Sequence, residues 1–186
     1  VKYNSSGVKQ WTKQLGTSAA DNGTGITSDS SGNVYVTGWT SGDLDGNTNA
    51  GGSDLIVVKY NSSGVKQWTQ QLGTSSRDYG EGITSDSSGN VYVTGWTSGG
   101  LDGNTRAGDH DLFVVKYNSS GVKQWTKQLG TSSGDYGQGI TSDSSGNLYV
   151  TGYTGGGLDG TNAGHADLFV VKYNSSGVKQ WTKQLG

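Results

Sequence analysis

The sequence predicts an all-β protein made of β-propeller blades, each of four antiparallel strands, with a repeat of about 57 residues. Three observations predict it. The segment VKYNSSGVKQWT returns at Val1, Val58, Val115 and Val171, at spacings of 57, 57 and 56 residues. Each unit holds short runs of alternating or continuous apolar residues, bounded by Gly, Ser and Asn. Helix formers are scarce, and the 34 glycines interrupt every stretch of helical length.

The second unit sets out the elements in order. Gly82–Asp86 reads as a short strand A. Asn90–Thr97 alternates Val91 and Val93 with Tyr92, Thr94 and Trp96, and forms strand B. Asp111–Asn118 carries Leu112, Phe113, Val114, Val115 and Tyr117, a run suited to a strand covered on both faces; this is strand C. Val122–Leu129 is rich in Gln, Lys and Thr and fits an outer edge strand D, whose lysines discourage stray pairing. The A–B turn is SDSSGN and the C–D turn is YNSSGV, each with a glycine where a positive φ closes the turn. The chain therefore divides into repeats 1–57, 58–114 and 115–170, with a partial repeat at 171–186, all within one propeller segment.

Composition excludes several function classes. Net charge is −2, so no basic field invites nucleic acid. No apolar run approaches the ~18 residues of a membrane span. With no cysteine, neither a disulfide framework nor a thiolate metal site can form; this also fits an exported protein. The chain starts at Val1 rather than Met and shows no secretion leader, so a processed product or a piece of a longer chain is expected.

GITSDSSGNVYVTG followed by DLFVVKYNSSGVKQW resembles the bacterial β-propeller repeat family known as SBBP, and the order of turns and aliphatic runs is similar to NHL repeats. The run Asn118, Ser120, Gly121, Trp125 resembles the tryptophan-docking motif of quinoprotein dehydrogenase propellers. That likeness implies that Trp11, Trp68, Trp125 and Trp181 pack between neighbouring blades, with Trp68 and Trp125 largely buried there. No single activity attaches to the SBBP resemblance, and no cofactor is implied.

Between the first two units ten positions differ, and eight of these fall in two segments: Ala19, Ala20, Asn22 and Thr24, then Asp43, Asn49, Gly52 and Ser53. In a four-stranded blade both segments lie on one face, the D–A and B–C side. Either these exposed loops drift because they cost little stability, or they form a diversified ligand-binding face for a glycan or protein. The second reading would use Asn22, Trp39, Tyr79, Trp96, Arg106, Asp109, His110, Tyr136, Tyr153 and His165. Trp39, Trp96 and Tyr153, at the ends of strand B, are either packed or open on that face. Asp43, Asp45, Asn47 and Asp54, with Asp102, Asn104 and Asp111 in the second unit, are oxygen ligands of the kind Ca²⁺ prefers. The EF-hand pattern then fails: Thr48 stands where glycine is needed, and the set changes from unit to unit. No tight metal site is expected, and Asp54, Asp111 and Asp167 are read as caps on loop amides. No histidine pair recurs and no nucleophile elbow appears, so an enzyme is not expected. Asp86, which opens a turn, is read as structural.

Three blades cannot close a ring, since propellers use ~4–8. The segment Val1–Gly16 supplies strands C and D of a blade with no A or B, and Val171–Gly186 belongs to a blade that is already complete. The expected role is a structural, self-assembling module of a bacterial surface or extracellular protein or fibre, whose partners are further copies of itself or flanking repeats.

Overall fold

The computed structural model describes residues 1–186 and contains three four-stranded antiparallel sheets and one short hairpin. The hairpin pairs β1 (Lys2–Tyr3) with β2 (Lys9–Trp11). Blade I is β3 (Asp21–Ser28), β4 (Val34–Thr40), β5 (Asp54–Tyr60) and β6 (Lys66–Leu72). Blade II is β7 (Asp78–Ser85), β8 (Val91–Thr97), β9 (Asp111–Tyr117) and β10 (Lys123–Leu129). Blade III is β11 (Asp135–Ser142), β12 (Leu148–Thr154), β13 (Asp167–Tyr173) and β14 (Lys179–Leu185). In each blade the strands pair in sequence order, so each is a four-stranded meander.

The core lies between blades, and strand C shows why its sequence is apolar throughout. Successive side chains on a strand point to opposite faces. Along β9, Phe113, Val115 and Tyr117 face blade I and join Tyr35, Leu55, Val57, Ile83, Val91 and Val93 in one buried cluster. Leu112 and Val114 face blade III and join Tyr92, Leu148, Val150, Phe169 and Val171 in a second. A blade in the middle of the stack has no solvent face along this strand.

Strand A differs from its sequence-based bounds. β7 begins at Asp78, four residues before the expected Gly82, and ends at Ser85, which leaves Asp86 in the turn. The reason is a bulge. Gly80 pairs with Gly95 and Gly82 with Thr94, so Glu81 is an extra residue on β7 that interrupts the period of two. Opposite the bulge, a Cβ on Gly95 would lie 1.8 Å from the Tyr79 carbonyl oxygen, so only glycine fits there. Helical signals were expected nowhere, yet Leu44–Gly46 and Leu101–Gly103 form single 3₁₀ turns, with Asp45 and Asp102 at positive φ.

The two SSG turns of each blade close as the sequence suggests. Gly64, Gly89 and Gly121 have φ of +76° to +82°. Asp86 accepts the Ser88 and Asn90 amides through Oδ1, and the Asn90 side chain and Tyr92 hydroxyl through Oδ2. Asn118 does the equivalent for Ser120 and Val122.

Candidate functional site

Two regions stand out, the blade-to-blade docking faces and the variable loop face. Docking repeats from blade to blade. Trp68 of blade I lies against the backbone of Gly121 in blade II, and its indole donates to the Ser119 carbonyl at 3.3 Å. Lys59 donates to the same carbonyl at 3.0 Å. Trp11 of the hairpin lies on Gly64 of blade I in the same way, with its indole 3.3 Å and Lys2 Nζ 2.9 Å from the Ser62 carbonyl. Trp125 lies on Gly177. The tryptophans thus reach across to the next blade as expected, and Trp11, Trp68 and Trp125 are each in large part covered, with their indoles over a surface turn near the rim of the interface. Trp181, on blade III, lies against no other blade among residues 1–186 and is 39 % exposed.

The faces at the two ends of the stack are left open. Leu55 and Leu112 are fully buried, while their counterpart Leu168 in blade III is 50 % exposed. Leu185 is 69 % exposed, whereas Leu72 and Leu129 pack against the two core clusters. On blade I, Ile26 is 68 % exposed, against 8 % for Ile83 in blade II. Only the short hairpin covers this side, and beside it lies a cleft of ≈ 630 Å³ lined by Tyr3, Trp11, Leu15, Ile26, Val36, Ile56 and Val58, among others. Sequence reasoning missed this cleft, although a strand pair C–D with no A–B partner was the signal for it.

On the loop face a row of rings crosses all three blades. Trp39 meets Tyr79 edge-on at 4.9 Å, and Tyr79 meets Trp96 at 4.5 Å. Trp96 meets both His110, at 4.8 Å, and Tyr136, at 5.7 Å. Tyr136 stacks on His110 at 5.1 Å and on Tyr153 at 4.6 Å, and its hydroxyl lies 3.1 Å from His110 Nδ1. The row follows from strand register: Tyr79 pairs with Trp96, and Tyr136 with Tyr153, across the A–B ladders. Burial, reinforced by Tyr153 and nearby carboxylates, raises the Tyr136 hydroxyl above its ordinary pKa. Tyr79, Tyr136 and Asn22 therefore stand on strands rather than in loops. Trp39 and Trp96 are half-buried by ring packing, and Tyr153 is 38 % exposed. Asn22, the counterpart of Tyr79, lines the open cleft. Arg106 lies outside the row and donates to the Ser98 carbonyl, while Asp109 and His165 are exposed.

The calcium candidates each hold part of the scaffold. Asp43 accepts the Asn49 amide. Asp45 pairs with Lys66, and Asp102 with Lys123; the Lys66 contact holds the Asp45 carboxyl below its ordinary range. Asn47 and Asn104 donate to the Leu44 and Leu101 carbonyls. Asp54, Asp111 and Asp167 accept the amides of Ala50, Ala107 and Ala163, and the side chains of Gln71, Gln128 and Gln184. No group of three His, Cys, Asp or Glu side chains lies close enough together to hold a metal ion.

One buried element went unread in the sequence. Asp78 accepts the Thr74 amide and hydroxyl and the Thr97 hydroxyl, and so ties the D–A loop to the end of strand B. Burial raises its carboxyl, against the pull of those donors. Its counterpart Asp21 makes the same contacts but lies beside the open cleft; burial opposes ionisation there too, but the Thr40 and Thr17 donors win and its pKa is lowered. The recurrent Thr-x₃-Asp spacing of Thr17–Asp21, Thr74–Asp78 and Thr131–Asp135 was the available signal.

This chain is also similar to known proteins. A 144-residue alignment with the regulatory protein FlaEY of Caulobacter vibrioides is 30 % identical and spans 70 % of this chain. An uncharacterized WD repeat-containing protein of Acanthamoeba polyphaga mimivirus is 26 % identical over 227 residues, across 95 % of this chain. The chain spans only 15 % and 16 % of the length of these two relatives. A solved structure of a luciferin-regenerating enzyme superposes on 89 % of this chain and 46 % of its own, with a TM-score of 0.45 at 14 % identity. The SBBP β-propeller repeat pattern matches residues 10–45, 67–102 and 124–159, segments that each run from a docking tryptophan through the following A–B hairpin. These matches cover more than half of the chain, which belongs to the SBBP family of β-propeller repeats.

Proposed function

We propose that this chain is a non-enzymatic structural module that assembles with further copies of itself by blade stacking, in a bacterial surface or extracellular protein. The observation that carries the reading is the forward face of blade III. Leu168, Leu185 and Trp181 there are 50 %, 69 % and 39 % exposed, although their counterparts inside the chain are buried or packed against a core cluster. An exposed apolar face rimmed by polar residues marks an interaction surface, and a solenoid-like stack needs its ends covered. The buried carboxylates Asp54, Asp78, Asp111 and Asp135 bind backbone amides and hydroxyls, which gives them a scaffold task rather than a chemical one. Light scattering on the 186-residue chain tests the reading. Mass rising with concentration above 19.3 kDa is expected; a compact monomer at every concentration refutes it.

A second reading is favoured by the aromatic row, which shares its face with the variable positions. A glycan or protein ligand would contact the row at Tyr153, its most open ring, beside Tyr136. Oligosaccharide titration followed by tryptophan fluorescence tests this; an unchanged spectrum at millimolar sugar counts against it.

A further inference from the structure

Resting on the assembly reading above, we propose that copies join head to tail by hairpin exchange. The third blade of one copy docks on the first blade of another and displaces its segment Val1–Gly16.

The two segments concerned are the same. Residues 1–16 and 171–186 both read VKYNSSGVKQWTKQLG. The first lies on blade I of its own chain, where Trp11 and Lys2 reach the Ser62 carbonyl. These contacts repeat those of Trp68 and Lys59 with Ser119 between blades I and II. The hairpin therefore makes the C–D half of the standard joint. It has no A–B half, and the space for one is the cleft of ≈ 630 Å³. In the internal joint that place is filled by Tyr35 of strand B, with Leu55 and Val57 of strand C.

Blade III carries the whole set. Tyr149, Leu168 and Val170 correspond to Tyr35, Leu55 and Val57, and Trp181 and Lys172 correspond to Trp68 and Lys59. An incoming blade III thus reproduces each contact of the hairpin with identical residues and adds the missing half. Ile26, now 68 % exposed, would become covered as Ile83 is, at 8 %. The exchange releases a hairpin that has little to lose: Tyr3 is 58 % exposed, against 9 % for Tyr60 and 1 % for Tyr117, its counterparts in blades I and II. Two such joints between two copies close a ring of six blades, within the ~4–8 that propellers use, and head-to-tail joints give closed rings when the rotation allows.

The exchange predicts opposite effects of one substitution at two identical sites. In Trp181→Ala the incoming anchor is lost, and the concentration for half-assembly should rise by about tenfold or more. In Trp11→Ala the internal competitor is weakened, and the same concentration should fall. Lys172→Ala and Lys2→Ala should act in the same two directions with smaller effect, which guards against a misfolded tryptophan variant. Sedimentation velocity on the full chain reads all four, with circular dichroism as the check on folding. A wild-type species of twice 19.3 kDa with opposite shifts supports the exchange. Assembly that persists unchanged in the variants, or shifts the same way in both tryptophan variants, overturns the exchange and leaves the assembly reading standing. A monomer throughout, in wild type and all variants, overturns both.

Discussion

A Cβ on Gly121 would sit 2.8 Å from Cδ2 of Trp68, in the neighbouring blade. Two demands meet at that glycine. Its φ of +82° closes the turn, and its bare Cα leaves room for an indole.

The demands can be separated, because Gly7 has the same turn, with φ +75°, and nothing within 4 Å of its Cβ position. Gly7→Ala meets only backbone strain, about 1–2 kcal/mol, in a hairpin outside the two core clusters. Gly121→Ala also pushes Trp68 off its seat and loosens a blade-to-blade joint. Thermal denaturation should show a clearly larger drop in Tm for Gly121→Ala than for Gly7→Ala. Equal drops would mean that the indole contact contributes nothing.

The open face of blade I makes a second contrast. Ile83 and Ile26 are counterparts, 8 % and 68 % exposed. Truncating a buried Ile to Ala costs ~2–5 kcal/mol, and an exposed one little. Urea unfolding should show a large loss for Ile83→Ala and under about 0.5 kcal/mol for Ile26→Ala at concentrations where the chain is monomeric.

Acid should weaken the A–B turns. Burial alone would raise the Asp86 carboxyl, but the Asn90, Tyr92 and Ser88 donors outweigh it and hold the pKa below its ordinary value; Asp29 behaves likewise. A depressed folded-state pKa contributes stability above the unfolded value of ~3.9, and that contribution is lost as pH falls through the folded value. Asp78 works in the opposite sense, since its raised carboxyl favours the fold at low pH and loses that contribution as pH rises past ~3.9. Asp86→Asn should therefore destabilise at pH 7 by roughly 1–3 kcal/mol and flatten the loss of stability between pH 4 and pH 2. A variant with an unchanged acid limb would show that these donors do not tune the carboxyl.

Much of this architecture is legible in the sequence, for reasons visible in particular residues. Strand C reads clearly because both of its faces are buried, so Leu112 to Val115 form one apolar run. The SSG turns read clearly because positive φ selects glycine. Strand A reads poorly at its start because Asp78-Tyr79-Gly80-Glu81 contains a bulge, and a bulge erases alternation. The members of the aromatic row were legible as residues of one face, but their ring contacts were not, since Trp39 and Tyr79 are forty residues apart and meet only through blade stacking.

The B–C loop offers the last prediction. Asp45 and Asp102 lie on 3₁₀ turns and are held by Lys66 and Lys123, so a cation would first have to displace a lysine. Asn47 already donates to the Leu44 carbonyl, and Asp54 already accepts the Ala50 amide and the Gln71 side chain. A ligand that binds only the folded state stabilises it by RT ln(1 + [L]/Kd). One Ca²⁺ site with a Kd of about 10 μM would thus add about 2.7 kcal/mol at 1 mM Ca²⁺, and for a chain of this length raise Tm by roughly 5–10 °C. The expected result is a shift below about 1 °C between 1 mM Ca²⁺ and excess chelator. Asp45→Asn, which breaks the half-exposed pair with Lys66, should cost no more than about 1 kcal/mol. A shift of several degrees with Ca²⁺ that disappears in Asp45→Asn would instead make this loop a metal site and favour the ligand-binding reading of the face.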